Sequence, residues 1–299
     1  MGLKNNDQKG EVIMKVKVTV PKINEYHDIA YSQIKENDTI REMHMSLLVP
    51  DTDVAKPAVI YFPGGGFTSA NYHKFIQMRT AIAQRGIVVA AAEYRVVPDA
   101  FPGILNDGKN ALGYIRNNAK KYGIDPEKIA VMGDSAGGYL AQFLGTTAEK
   151  SEYMPDTGEV VNTTVSAVVS LYGISNLLTI GKGIDTDFHK STTSTEALLV
   201  NGVSFGEDTA HAISDVEENA KFASPIDHVK KGLEPFLLMH GDSDTIVSKY
   251  QAEEMESRLK EDDVPVDKVV VEGADHATIE WYQPEIIDFV CDWLVEKLF

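Results

Sequence analysis

The stretch Ile129-Ala130-Val131-Met132-Gly133-Asp134-Ser135-Ala136-Gly137-Gly138-Tyr139 decides the fold. Its first four residues form a short apolar run, the pattern of a parallel strand buried on both faces. From Tyr139 to Gly145 the pattern turns helical. The turn between them is too sharp for side chains at its flanks, and Gly133 and Gly137 relieve the crowding. A serine at the centre of such a strand-turn-helix is pushed out at the carboxyl end of the strand. The first N–H groups of the new helix face the same spot and favour developing negative charge. Ser135 is therefore the candidate nucleophile, and the Ala136 N–H is a candidate donor to an oxyanion.

Working outward, short apolar runs recur at residues 58–62, 86–92, 165–171, 236–239 and 268–271. Helical patterns at 104–122, 249–260 and 286–298 lie among them. Strands alternating with helices predict a mostly parallel α/β sheet with helices on both faces. Ahead of it, residues 12–20 alternate apolar and polar, and further strands are expected at 27–34 and 41–49 across the turn residues Asn37-Asp38. Two or three antiparallel strands thus precede the parallel part. Residues 175–223 break the alternation with a long polar stretch rich in Thr, Ser, Gly and Asp. A connection of that length carries a function or a structure of its own, and it reads as a small helical insertion near the site. There is no internal repeat, so residues 1–299 read as a single domain.

The composition excludes several function classes. The chain has 299 residues, 43% hydrophobic and 24% charged, enough apolar content for a large core. Its one cysteine, Cys291, rules out an intrachain disulfide and reads as a small core hydrophobe, which suits a reducing compartment. A net charge of −17 repels phosphate backbones and argues against nucleic-acid partners, anionic substrates and anionic membranes. The opening residues carry no apolar leader, and Asn6 stands where a myristoylation signal needs Ser or Thr. No apolar run reaches membrane-spanning length. The expectation is a cytoplasmic protein with no membrane insertion and no nucleic-acid partner, homo-oligomerisation being left open.

Three further motifs carry chemistry. Phe62-Pro63-Gly64-Gly65-Gly66-Phe67 follows a strand, and its glycines leave the backbone open enough for two N–H groups to face a ligand oxygen. Gly65 and Gly66 are the expected donors, joined by Ala136. No Lys follows as in a phosphate-binding loop. His240-Gly241-Asp242-Ser243-Asp244 ends another strand, where a carboxylate can hold an imidazole in one tautomer. Asp242 and Asp244 both qualify. Asp244 is preferred, with Asp242 read as a turn carboxylate. Gly273-Ala274-Asp275-His276 supplies the imidazole, and His276 completes the chain order Ser, Asp, His. The other seven histidines lack such a context. Asp185, Asp187 and His189 cluster in a polar loop and are not read as a metal site.

Together these residues resemble the hormone-sensitive-lipase-like carboxylesterases and their bacterial acetylesterase relatives. The motifs are Gly64-Gly65-Gly66-Phe67, Glu93-Tyr94-Arg95, Phe101-Pro102 with Asp107, Gly123-Ile124-Asp125-Pro126, Gly133 to Gly138, His240 to Asp244, and His276. The resemblance runs from about Lys56 to the C-terminus. It implies an α/β-hydrolase fold with a small cap insertion at 175–223. It also implies hydrolysis of short acyl, acetyl-type esters by Ser135, Asp244 and His276 through an acyl-enzyme, with no metal or organic cofactor. Substrate contacts are expected in the insertion and around Phe67. In one place the chain departs from these relatives: they carry a His before the three glycines that supports the loop through hydrogen bonds, and this chain has Pro63. The same machinery could cleave amides, as in a small peptidase or formamidase. A non-catalytic, ligand-binding hydrolase-fold protein is the remaining alternative.

Overall fold

The computed structural model describes residues 13–36, 38–148, 162–204, 206 and 210–299. One eight-stranded sheet runs through them in the order β1-β2-β4-β3-β5-β6-β7-β8. The strands β1 (Ile23–Glu36) and β2 (Thr39–Pro50) pair antiparallel, and β2 joins β4 (Val88–Ala92) antiparallel. From β4 onward every pairing is parallel, through β3 (Lys56–Phe62), β5 (Ile124–Asp134), β6 (Val168–Leu171), β7 (Phe236–Gly241) and β8 (Val266–Val271).

The period of two along each strand divides the core into halves. Ala58, Ile60, Phe62, Val131, Val168 and Phe236 face a cluster built with α2 (Gly103–Asn117), α4 (Ala136–Thr147) and α7 (Tyr250–Glu261). Val59, Tyr61, Ala130, Met132, Val169 and Leu237 face the opposite cluster, built with α1 (Ile76–Gln84) and α8 (Pro284–Leu298). Cys291 lies buried in this second cluster, and burial pushes its thiol up to about 12. Every residue of α4 is buried, which fixes the helix behind Ser135 at the centre of the molecule.

Several elements differ from expectation. The alternation at residues 12–20 does not form a strand. Val12 lies outside the described residues, and residues 13–20 make no ladder, with Ile13, Met14, Val16, Val18 and Val20 exposed. An alternating pattern becomes a strand only where a neighbour pairs with it and one face is covered. The sheet instead begins at Ile23. The helix expected over 104–122 breaks at Asn118 into α2 and the short α3 (Ala119–Tyr122). Helix α1 had no clear signal because its buried face includes Arg79, which donates to the carbonyls of Lys74 and His73.

The described residues of 175–223 fold as short pieces: α5 (Thr195–Asn201), α6 (Glu217–Phe222) and single 3₁₀ turns at Leu177–Thr179, Phe188–Lys190 and Ile213–Asp215. They are tied to the main body. Phe101 N–H donates to Leu199, Ser248 N–H to the carbonyl of Ile180, and the Tyr139 hydroxyl to Ala223. Among the described residues no helix is long and apolar enough to cross a membrane.

A further tie runs through an ion pair within the insertion. The His189 ring has Nδ1 2.7 Å from Glu196 Oε1 and Nε2 2.9 Å from the carbonyl of Ile246. Both partners only accept, so both ring nitrogens must donate and the imidazole is held as the cation. Burial opposes that charge, but Glu196 and the Ile246 carbonyl outweigh it and raise the His189 pKa. A raised folded value stabilises the protein below the unfolded value of about 6.5 and is lost as pH rises through the folded value. Glu196→Ala is therefore expected to destabilise the protein by about 3 kcal/mol in mild acid. Urea denaturation should give a smaller difference from wild type at alkaline pH.

Candidate active site

The topology brings four loops to one end of the sheet. The segments after β3, β5, β7 and β8 all leave the carboxyl ends of parallel strands, where crevices form in α/β sheets. Because β3 and β5 are neighbours, with Phe62 opposite Gly133, the glycine loop lies beside the turn that carries Ser135.

Ser135 sits at φ 51°, ψ −120°, a conformation rare for any residue but glycine. Such strain costs about 1–3 kcal/mol and persists only where surroundings enforce it. Here the Ser135 N–H donates to Leu171 at 2.9 Å, and Tyr139 N–H donates to the Ser135 carbonyl at 2.9 Å. The flanking glycine is a matter of space: a Cβ on Gly137 would lie 1.9 Å from the carbonyl oxygen of Phe62. Gly137→Ala is expected to cost about 3 kcal/mol through overpacking, read as a lowered melting temperature.

His276 joins the two other expected residues. Its Nε2 lies 2.8 Å from Ser135 Oγ and its Nδ1 2.8 Å from Asp244 Oδ2. The carboxylate can only accept, so Nδ1 carries the proton and Nε2 is left to accept the serine hydroxyl. The Tyr172 ring and the imidazole meet in a T-shaped arrangement at a centroid distance of 4.8 Å, and Trp281 packs on Tyr172 at 4.5 Å.

Asp244 rather than Asp242 is the carboxylate on His276. Asp242 accepts from Gly273 N–H at 2.7 Å and from the Ser243 hydroxyl, joining the two loops. The Asp244 side chain is fully buried. Its Oδ1 accepts the N–H groups of Ile246 and Val247, each at 2.9 Å. Burial disfavours the charge, yet His240, His276 and the Val247 N–H overcome it and hold the carboxyl well below the usual carboxylate range. His240 was not singled out from the sequence. It is buried, with Nε2 3.0 Å from the Val247 carbonyl and 3.3 Å from Asp244 Oδ2. Its place at the head of the His240-Gly241-Asp242 run was the available signal. Asp275 braces the pair of loops by accepting from the N–H groups of Thr245 and His276.

Asp134 was also read only as part of a motif. It is a buried carboxylate that accepts from the Tyr61 hydroxyl at 2.6 Å, Gly64 N–H at 2.8 Å and the Tyr172 hydroxyl at 3.3 Å. Burial first, and then the Asp134 charge, push both phenols well above their ordinary range, so both remain protonated donors. Asp134 thus ties the nucleophile turn to the glycine loop. Gly65 is half-buried and Gly66 exposed at φ 58°, while Ala136 opens helix α4 beside Ser135. Phe67, the expected substrate contact, is 2% exposed, its ring edge-to-face with Tyr139 at 5.3 Å and its backbone at φ 61°. In the polar loop of Asp185, Asp187 and His189, Asp187 pairs with Lys190 at 2.7 Å, and His189 turns to Glu196.

This arrangement, a serine hydroxyl on an oriented imidazole at the head of a parallel sheet, defines an α/β-hydrolase. The BD-FAE family model matches residues 45–259, and the chain belongs to that α/β-hydrolase family. Among its relatives, Esterase LipC of Mycobacterium tuberculosis is 32% identical over 210 residues, covering 68% of this chain and 48% of LipC. The probable carboxylic ester hydrolase LipM of the same organism is 28% identical over 242 residues, covering 79% of this chain and 53% of LipM. The chain thus spans about half the length of these curated relatives. A solved structure of a truncated carbohydrate esterase from gut microbiota matches with a TM-score of 0.76 at 20% identity, over 93% of this chain and 97% of that one. That likeness establishes the fold.

Proposed function

We propose that this chain is a serine carboxylesterase that hydrolyses short-chain, acetyl-type esters of small neutral molecules through an acyl-enzyme. The observation that carries the proposal is the line of hydrogen bonds from Ser135 Oγ to His276 to Asp244, each 2.8 Å. Ser135 Oγ attacks the ester carbonyl carbon while His276 Nε2 takes its proton. The carbonyl oxygen becomes an oxyanion, received by the N–H groups of Gly65, Gly66 and Ala136. As the tetrahedral species collapses, the C–O bond to the alcohol breaks and His276 returns the proton to the leaving oxygen. Water, deprotonated by the same imidazole, then releases the acid from Ser135. Asp244 keeps the proton on Nδ1 throughout and stabilises the imidazolium.

The relatives named as esterases support the reaction class. The net charge of −17 supports neutral over anionic substrates. In this reading residues 175–223 form the small cap over the site, and no metal or organic cofactor takes part. The test is a panel of p-nitrophenyl esters of rising chain length with the matching anilides. The expected result is hydrolysis fastest for acetate and slow for octanoate and the anilides. Preference for the anilide would overturn the ester assignment, and preference for octanoate the short-chain assignment. A fluorophosphonate probe is expected to label Ser135, and absence of labelling would favour a binding protein.

A further inference from the structure

We propose that Lys74 is a positioning residue that aims the Gly65 N–H at the oxyanion. This goes beyond the esterase reading and rests on it. The argument follows the peptide planes of the glycine loop. The Pro63 carbonyl accepts the Tyr94 hydroxyl at 2.5 Å. The Gly64 N–H donates to Asp134 Oδ1 at 2.8 Å. The Gly64 carbonyl accepts from Lys74 Nζ at 3.0 Å. The Gly65 carbonyl accepts from Thr68 N–H at 3.0 Å, the Thr68 hydroxyl at 3.1 Å and Ser69 N–H at 3.2 Å.

The Gly64 carbonyl and the Gly65 N–H are opposite ends of one planar trans peptide. Holding the oxygen therefore sets the direction of the hydrogen. Lys74 holds that oxygen from one side, so the Gly65 N–H points to the other. The Thr68 and Ser69 bonds do the same for the Gly66 N–H through the Gly65 carbonyl. A cation on the carbonyl also polarises the amide and makes its N–H a stronger donor.

Lys74 is itself well placed. Its Nζ lies 3.5 Å from Asp134 Oδ2, so one ammonium joins the carboxylate and the carbonyl that flank Gly64. Its own backbone is fixed, the N–H donating to Asn71 and the carbonyl accepting from the buried Arg79 at 2.8 Å. Proline at 63 offers neither the imidazole that the resembling carboxylesterases carry there nor a backbone N–H. Besides Tyr94 and Asp134, Lys74 anchors the loop from ten residues beyond Gly64, ahead of α1. Lys74 does not touch the reacting atoms; it acts through the Gly64–Gly65 peptide.

The test compares Lys74→Met and Lys74→Arg with wild type and Ser135→Ala, using p-nitrophenyl acetate and a trifluoromethyl ketone whose adduct carries an oxyanion. Lys74→Met is expected to lower kcat about tenfold to a hundredfold, less than the roughly 10²–10³-fold cost of removing an oxyanion donor outright, because the Gly65 N–H is misaimed and not lost. KM should change little, and affinity for the ketone should fall by a similar factor. Lys74→Arg, which keeps a cationic donor, should recover most of both. Unchanged kcat and ketone affinity in Lys74→Met would overturn the proposal. So would a loss of rate that follows only a loss of folded protein, with ketone affinity of the folded fraction intact. If wild type hydrolyses no ester, the esterase reading fails and takes this one with it. An active wild type beside an unaffected Lys74→Met removes the role of Lys74 alone.

Discussion

Ser135→Ala is expected to lower kcat/KM for p-nitrophenyl acetate by about 10⁴–10⁶-fold, the scale seen when a Ser-His-Asp set loses its nucleophile. The loss should be chemical and not structural. It is the backbone of Ser135, through its N–H and carbonyl, that bonds to Leu171 and Tyr139. The hydroxyl bonds to His276, at 2.8 Å. The variant should therefore melt close to wild type while turnover disappears. What activity remains would come from the oxyanion donors and substrate binding, which the substitution leaves in place. Equal rates for the two proteins would sink the assignment of Ser135.

Asp244→Asn is expected to cost about 10⁴-fold in kcat, because it reverses the tautomer while preserving shape. An amide nitrogen facing His276 Nδ1 donates where the carboxylate accepted. The imidazole proton then sits on Nε2, which can no longer take the proton of Ser135. Asp242→Asn is the control. Asp242 meets Gly273 N–H and the Ser243 hydroxyl and does not hold the imidazole, so its loss should leave turnover within tenfold, on the order of one lost bond between loops. Stability should follow pH in a defined sense. The carboxyl of Asp244 is held well below the usual carboxylate range. Its contribution is present above the unfolded value, about 3.9, and is lost only as pH falls through the depressed folded value. The stability gap between wild type and Asp244→Asn should thus be full at neutral pH and shrink in strong acid. Chemical denaturation across that range measures it.

The legible parts of this protein were those where local physics has a single solution. A buried parallel strand reads as an apolar run, so β3 to β7 were found within a few residues. The turn at Gly133 to Gly137 was legible because only glycine clears the Phe62 backbone there. The alternation at 12–20 misled because a strand needs a second strand to pair with, and residues 13–20 find no partner among the described residues. Helix α1 was missed because Arg79 occupies a buried position that pattern reading reserves for an apolar side chain.

The chain order of a serine at 135, a carboxylate after β7 and a histidine at 276, and the strand ends that carry them, were determined by the amino-acid sequence, since glycine spacing and apolar runs act within a few residues of each other. The choice of Asp244 over Asp242 belonged to the tertiary structure. Both are carboxylates beside one turn, and only the paired geometry of the loops after β7 and β8 decides which one meets Nδ1. The same holds for His240, Asp134 and Lys74. Their partners lie on other strands and loops, and a hydrogen bond depends on distance and direction in space, which spacing along one chain does not encode.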